Sequence, residues 1–333
     1  MDISVVIPTC NRKTRLLSLL QNLNNSILPV KEAIIVDSGE DRLNDADIAA
    51  FHDLDVKYIL SGKSVCLQRN KGIAIARSEW IFLCDDDIEV PDDYLKKIEQ
   101  HIIDHPEAGA VSGSVLQKEK DKWVAHYVER SSLKLFWKYF FQLGYWGTIE
   151  CPNNFFMKNI KNNYRGSENH LSKAGWPVLT HFSGQYFTTP MYGLGASLVK
   201  KEWLLNSLYD EVLDSHGIGD HYGVAAGFPG RIHVVTDAYV YHHQEKINRL
   251  ESGIQYYRRA LALDYFTSKG DVLNRIKKRW LVWSLFGNFI EALFSLNTRM
   301  LKPTLKSLYI IGSGKNPYTK AAKENLKTIE PKL

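Results

Sequence analysis

Cysteine is scarce in this chain, and what there is lies scattered. Cys10, Cys66, Cys84 and Cys151 are the only four in 333 residues. No pair has metal-ligand or redox spacing, which argues against both a zinc site and a disulfide scaffold and fits a reducing compartment. Long hydrophobic runs are also missing. No predominantly apolar run reaches about 18 residues, so no transmembrane helix is expected. The opening Met1-Asp-Ile-Ser-Val-Val-Ile-Pro lacks a basic leader, and its apolar run is only strand-length. A signal peptide is therefore not expected, and a cytoplasmic protein is. No GxGxxG follows the first apolar run, which counts against a nicotinamide-binding domain, and no GxxxxGK[ST] supports a P-loop. Internal repeats and low-complexity linkers are absent too. What remains is an ordinary globular composition, 24% charged and 44% hydrophobic. The chain is long enough to bury a sizeable core.

The charge is uneven. Net charge is +5, yet residues 251–333 hold 15 Lys and Arg against 6 Asp and Glu, a balance of +9 that leaves the first 250 residues at −4. A basic last third suggests an anionic partner, membrane or nucleic acid. Apolar periodicity predicts strands over 2–8, 33–37, 56–60, 79–84 and 110–116, with helices over 13–24, 69–77 and 92–104 between them. Such alternation implies βαβ units and a mostly parallel sheet flanked by helices. Residues 117–190 lose the rhythm. A Gly-rich strand entering a helix is expected over 192–205, a strand over 231–241, and mainly helix over 251–310. Three parts follow: 1–115, 116–250, and a basic, helical extension over 251–333.

One stretch carries the chemistry. Trp80-Ile-Phe-Leu-Cys84 reads as a buried strand and ends in Asp85, Asp86 and Asp87. Burying unpaired charge is costly, so these acids need compensation. The carboxyl ends of strands are where open α/β sheets build sites. Mg²⁺ or Mn²⁺ is commonly held by one or two carboxylates plus substrate phosphates, so the triplet suggests a metal–diphosphate site. The plainer reading is an acidic loop that caps the helix near Pro91-Asp92-Asp93.

Four motifs stand in order: Ser4-Val-Val-Ile-Pro-Thr-Cys-Asn-Arg12, Ile34-Ile-Val-Asp-Ser-Gly39, Gln68-Arg-Asn-Lys-Gly72 and Phe82-Leu-Cys-Asp-Asp-Asp87. Together they resemble the inverting glycosyltransferase family 2 of the GT-A fold over roughly residues 3–115. Tyr192-Gly-Leu-Gly-Ala196, Gly217-Ile-Gly-Asp220 and Val240-Tyr-His-His243 continue the match more loosely.

The resemblance implies transfer of a sugar from a nucleoside-diphosphate donor (UDP, dTDP or GDP), assisted by Mn²⁺ or Mg²⁺, in building bacterial surface polysaccharide or glycolipid. Asp85 and Asp87 match the outer acids of an Asp-X-Asp motif. Asp87 is assigned to the metal, Asp85 to the ribose or a metal-bound water, and Asp86 to either role. Pro8 and Thr9 are assigned to the base pocket. Asp37 is assigned to a pyrimidine imide or, alternatively, to capping the Ser38-Gly39 turn. Arg12 and Arg69 are assigned to the base or diphosphate, or to surface ion pairs, and Asn70 to the donor or the local backbone. An inverting transferase needs a base for the acceptor hydroxyl. The family's acidic pair survives here only as Gly219-Asp220, so Asp220 is the candidate, with helix capping as its plain role and Asp214 as a weaker substitute. His242 is preferred to His243 as a late metal or pyrophosphate ligand, because alternation puts the two on opposite faces.

Glycines 193 and 195 would let backbone approach the sugars. Phe136, Trp137, Tyr139, Phe140, Tyr145 and Trp146 suit an acceptor saccharide, a small core or lipid. Residues 280–296 are apolar around a narrow stripe of Ser284, Gly287, Asn288, Glu291 and Ser295, flanked by Arg275, Lys277, Lys278, Arg279, Arg299, Lys302 and Lys306. This pattern predicts a helix lying in an anionic membrane surface, at the inner face of the cell membrane, or else one packed on the protein or in a homodimer. It would suit a lipid-linked acceptor. Two other functions compete. A sugar-nucleotide nucleotidyltransferase would want a basic Gly-rich loop, which residues 8–15 lack. A nucleic-acid binder would leave the acidic strand end unexplained, so nucleic acid is not the expected partner.

Overall fold

The strands Ile3–Thr9, Glu32–Asp37 and Trp80–Cys84 are buried at every position. That is the pattern of a parallel strand covered on both faces. The structure, a computed structural model, describes residues 1–152, 154–165, 168–244, 247–269, 273 and 276–333. In it Ile3–Thr9 lies between Glu32–Asp37 and Trp80–Cys84, parallel to both, with Thr9 level with Asp37 and Val6 with Leu83. Val56–Leu60 extends the parallel set. Their carboxyl ends therefore meet along one rim. Helix Lys13–Asn24 buries Leu16, Leu19, Leu20 and Leu23 on one face, the spacing of an amphipathic helix on a sheet. Helix Val65–Ile75 begins four residues earlier than the sequence pattern suggests, because Ser64 caps it by accepting from the Leu67 N–H.

Ala196–Lys200 inserts antiparallel between Trp80–Cys84 and Ala110–Glu119. Ile232–His242 runs parallel to Ala110–Glu119. The result is a mixed α/β architecture around a ten-stranded, mostly parallel central sheet. Residues 117–190, where the rhythm fades, fold largely as a second sheet of four short strands, His170–Leu171, Pro177–Leu179, Tyr145–Ile149 and Tyr127–Glu129. Helices Ser132–Phe140 and Phe155–Arg165 cover it over a small core that includes Leu135, Met157, Ile160 and Tyr164. Strands this short give too few alternations to register as a pattern.

Four helices close the chain: Ser252–Thr267, Lys278–Phe294, Thr298–Gly312 and Pro317–Lys323. The first is buried almost all round and shares its core with Trp176 and Tyr222. Among the described residues no helix is long and apolar enough to cross a membrane. Ser284, Gly287 and Asn288 of the stripe expected on an in-plane helix face the protein, while Glu291 and Ser295 are exposed. Ser284 accepts the Trp176 indole N–H at 2.9 Å, and Asn288 donates to the Tyr256 hydroxyl at 2.9 Å. A Cβ on Gly287 would lie 2.3 Å from the Phe141 ring. Small and polar side chains turn inward here because bulky neighbours fill the space and offer partners. Arg275, expected among the flanking cations, lies outside the described residues.

Candidate active site

The rim where the parallel strands end holds the acids. Asp85 leaves the strand with its N–H on the Gly195 carbonyl at 2.8 Å. A Cβ on Gly195 would come 2.0 Å from the Asp85 carboxylate, so any larger residue would displace that acid. Gln68 ties the neighbouring strand ends together, donating to the Thr9 and Val36 carbonyls at 2.8 and 2.6 Å.

Asp86 accepts from the Thr9 hydroxyl at 2.8 Å and from Arg12 at 2.7 Å. Burial pushes its carboxyl up, and although Arg12 opposes this, the neighbouring Asp87 adds to it, leaving it at about 6. Asp87 lies 3.3 Å from the same Arg12 nitrogen and 3.2 Å from His242 Nε2. Burial acts on Asp87 in the same direction, but His242 and Arg12 outweigh it and hold the carboxyl at about 2. His242 is itself desolvated, yet Asp87 raises its basicity above the ordinary imidazole value. His243 points the other way, to Glu89 at 2.9 Å. The alternation expected of adjacent strand residues thus selects His242 for the cleft.

A second ionic group faces the first. The Arg69 guanidinium is buried, with one nitrogen 2.6 Å from Asp85 and another on Asp220. Asp220 opens helix Asp220–Ala226 behind Gly219, whose φ of +89° is a glycine conformation. Its Oδ1 accepts the His221 N–H at 2.6 Å. Burial raises the Asp220 carboxyl, but the Arg69 charge and His221 carry it below the usual range, so it is ionised at neutral pH. Asp214 does not line this cleft. It has no exposed surface, and it is taken up by the Tyr318 hydroxyl at 2.9 Å, Arg258 at 3.2 Å and the His216 N–H at 2.9 Å.

These groups line a cleft of about 330 Å³, which brings together Pro8, Thr9, Arg12, Arg69, Asp85, Asp86, Asp87, Asp220 and His242. Asp37 and Asn70 are not brought there. Asp37 is buried beneath the turn, accepting from the Gly39 N–H at 2.7 Å and the Tyr58 hydroxyl at 2.5 Å. Asn70 bonds the Tyr209 backbone and Glu211. Both serve local structure, as a short polar side chain at a turn or helix often does. Five cationic or titratable residues of the cleft, Lys63, His216, His221, Arg249 and Arg259, escaped the sequence reading. The excess charge after residue 250 was the only signal for Arg259. Nothing marked the others, because they sit on loops and helix starts without periodicity.

A second cavity of about 340 Å³ adjoins the first through Asp85, His221, His242 and Arg259, and Trp146, Tyr192, Gly193 and Gly195 line it. Of the six aromatics suited to a saccharide, a small core or lipid, only Trp146 reaches it. Phe136, Tyr139 and Tyr145 pack in or against the small core, while Trp137 and Phe140 lie against Phe141.

Residues 4–163 match the family described as Glycosyl transferase family 2. No curated protein matches this chain. Among solved structures, S. aureus TarS 1–349 shares 14% identity, covering 98% of this chain and 92% of its own, with a TM-score of 0.54. The same protein in complex with UDP-GlcNAc gives 13% identity, coverage of 98% and 93%, and a TM-score of 0.56. The mannosyltransferase PcManGT from Pyrobaculum calidifontis, in complex with GDP-Man and Mn²⁺, gives 14% identity, coverage of 97% and 78%, and a TM-score of 0.50. At such identities the likeness is one of fold.

Proposed function

We infer that this chain is a relative of glycosyltransferase family 2 with the GT-A fold, and an inverting transferase. It moves a sugar from a nucleoside diphosphate to a saccharide or lipid-linked acceptor at the anionic inner face of a bacterial membrane. The observation that carries this reading is the juxtaposition of two acidic stations in one cleft. Asp85 and Asp220 are bridged by a single buried guanidinium, Arg69, and Asp87 is next door with His242.

The donor's nucleoside end fits beside Pro8 and Thr9, with Arg12, Lys63 and Arg249 available to its phosphates. The acceptor enters through the second cavity, where Trp146 offers a face for a sugar ring. Asp220 lies where the two cavities meet at His221 and accepts the proton of the attacking hydroxyl. Arg69 keeps it ionised and oriented for that task.

The donor set also fits a divalent cation. A carboxylate and an imidazole 3.2 Å apart suit Mn²⁺ well. Among the described residues no group of three or more His, Cys, Asp or Glu side chains is placed to hold a metal ion. Asp87 and His242 would hold the ion as a pair, with phosphate and water completing its shell. Mn²⁺ or Mg²⁺ there supplies charge stabilisation to the departing diphosphate. PcManGT, bound to GDP-Man and Mn²⁺, and TarS, bound to UDP-GlcNAc, support a donor of this class.

A screen of UDP-, GDP- and dTDP-sugars with Mn²⁺ tests the reading. Release of nucleoside diphosphate from one donor, faster with acceptor glycan, is the expected result. No turnover and no nucleotide binding across the panel would overturn it.

A further inference from the structure

Three helices from distant parts of the chain join their aromatic side chains into one row. Phe156 meets Phe136 at a ring-centroid distance of 5.5 Å, and Phe136 meets Phe140 at 5.7 Å. Phe140 meets Trp283 at 5.4 Å, and Trp283 meets Phe286 at 5.9 Å. The row runs across Phe155–Arg165 and Ser132–Phe140 onto Lys278–Phe294. Its margins are not core. Phe155 is 89% exposed, Phe294 80% and Leu133 73%. Along the last helix, Phe286, Leu293 and Phe294 fall seven and eight residues apart, on one face, and all three are exposed. Isolated exposed apolar residues are ordinary, but a contiguous ridge marks a surface that meets something.

The charge says what. The three helices hold seven Lys and Arg and a single acid, Glu291; Lys161 is buried, and Lys138 and Lys278 pair with Glu129 and Asp264. Lys134 and Lys158 are exposed on the first two, and Arg279 lies exposed one turn before Trp283. An aromatic ridge set among cations and nearly without acids complements a surface that is apolar below and anionic above. We propose that this three-helix ridge docks the protein on an anionic phospholipid surface. The contact is thus not the apolar face of one helix, where Leu281, Leu285 and Ala292 are buried, but a composite of the small domain and the C-terminal extension. The four-stranded sheet beneath two of these helices also carries Tyr127 and Trp146 to the second cavity. Docking there holds the acceptor side of the molecule at the lipid, a consequence that rests on the glycosyl-transfer reading. The surface itself does not.

Flotation of the full chain with vesicles of phosphatidylcholine alone, or with phosphatidylglycerol added, tests it without recourse to activity. Binding should require the anionic lipid and weaken as salt rises from about 0.05 to about 0.5 M. The pair Phe155→Ser and Phe294→Ser should lower lipid affinity at least about tenfold. The set Lys134→Gln, Lys158→Gln and Arg279→Gln should lower it on the order of a hundredfold. Ile27→Ser, which changes an exposed apolar residue outside the ridge, should leave it unchanged. Because the substituted side chains are exposed, nucleotide binding and thermal midpoint should hold in every variant. No flotation of the wild type, or equal flotation of all variants, would overturn the proposal. So would a dimer, seen in sedimentation, that Phe155→Ser and Phe294→Ser dissolve, because the ridge would then be covered by a second copy.

Discussion

Asp87 and Asp214 are both buried aspartates with an arginine partner, yet they belong to different kinds of region. Asp87 sits at a strand end with one flank on an open cleft. Its partners, Arg12 and His242, are themselves lining residues. Asp214 is sealed, and its partners, Arg258 and Tyr318, come from the C-terminal helices. Arg258 also binds Glu330 at 2.5 Å, and Glu330 accepts the Ser215 N–H at 2.9 Å, so the tail pins the loop that leads to Asp220. The comparison separates charge kept for a ligand from charge used to assemble the molecule. In the first case the compensation can be exchanged for a cation or a phosphate. In the second its loss leaves buried groups short of a partner.

The largest expected effect lies on the open side. Asp220→Asn should keep donor binding and lose about 10²–10⁴-fold in transfer, since only the base is removed. Asp87→Ala should abolish the Mn²⁺-dependent part of nucleotide binding in calorimetry. Both changes should leave the urea midpoint close to wild type. Near-normal turnover of Asp220→Asn would break the division, because the proton would then be taken elsewhere.

On the sealed side the effect moves from rate to stability. Asp214→Ala leaves buried Arg258 with Glu330 as its remaining carboxylate and the Tyr318 hydroxyl without its acceptor, and breaking a buried pair costs up to about 3–5 kcal/mol. Urea denaturation measures it. A variant as stable as wild type but slow in transfer would place Asp214 with the active acids instead.

This division also explains what the sequence could reveal. The donor half was legible because parallel strands buried on both faces write continuous apolar runs, and because the site hangs on their ends. Asp85–Asp87 stand out where Trp80–Cys84 stops. Arg69 could be named from its motif, but not its bridge to Asp220, which spans 151 residues of sequence. The fate of Asp214 depended on Tyr318 and Arg258, which no local pattern links to it. The helix at residues 278–294 misled for a related reason. Periodicity gives the direction of a stripe on a helix, but only the neighbours decide whether small polar residues face water or a packed aromatic ring.

A third acid sharpens the sealed class. Glu32 has no exposed side-chain surface and meets Lys57 at 2.6 Å, Arg77 at 3.0 Å and the Ser4 hydroxyl at 2.6 Å. Burial raises its carboxyl, but these partners outweigh it and bring it down to about 2. Because the folded value lies below the unfolded one, the stabilisation is complete above about pH 4.5 and drains away as pH falls toward 2. Glu32→Gln should therefore cost about 2–3 kcal/mol at neutral pH and little at the acid end of that window. Equal losses at both ends would mean that packing, not charge, is at stake.

The smallest effect tests the open class through its histidine. The Asp87 carboxylate raises His242 above the ordinary imidazole value in spite of burial. A protonated imidazole cannot ligate a cation, so proton and Mn²⁺ compete for Nε2. As pH drops below the raised value, Mn²⁺ affinity should fall, approaching about tenfold per unit. As pH rises through it, affinity should climb to a plateau. Asp87 does not contribute to this slope, since it stays ionised down to about pH 2. His243 provides the internal control, being turned away onto Glu89. Titration of free Mn²⁺ by electron paramagnetic resonance, with nucleotide present, should show the slope in wild type and in His243→Ala but not in His242→Ala. If His242→Ala keeps the slope, the titrating group is another one of the cleft, the Asp86 carboxyl at about 6 or a second imidazole. His221, which lines both cavities, would be the next to replace.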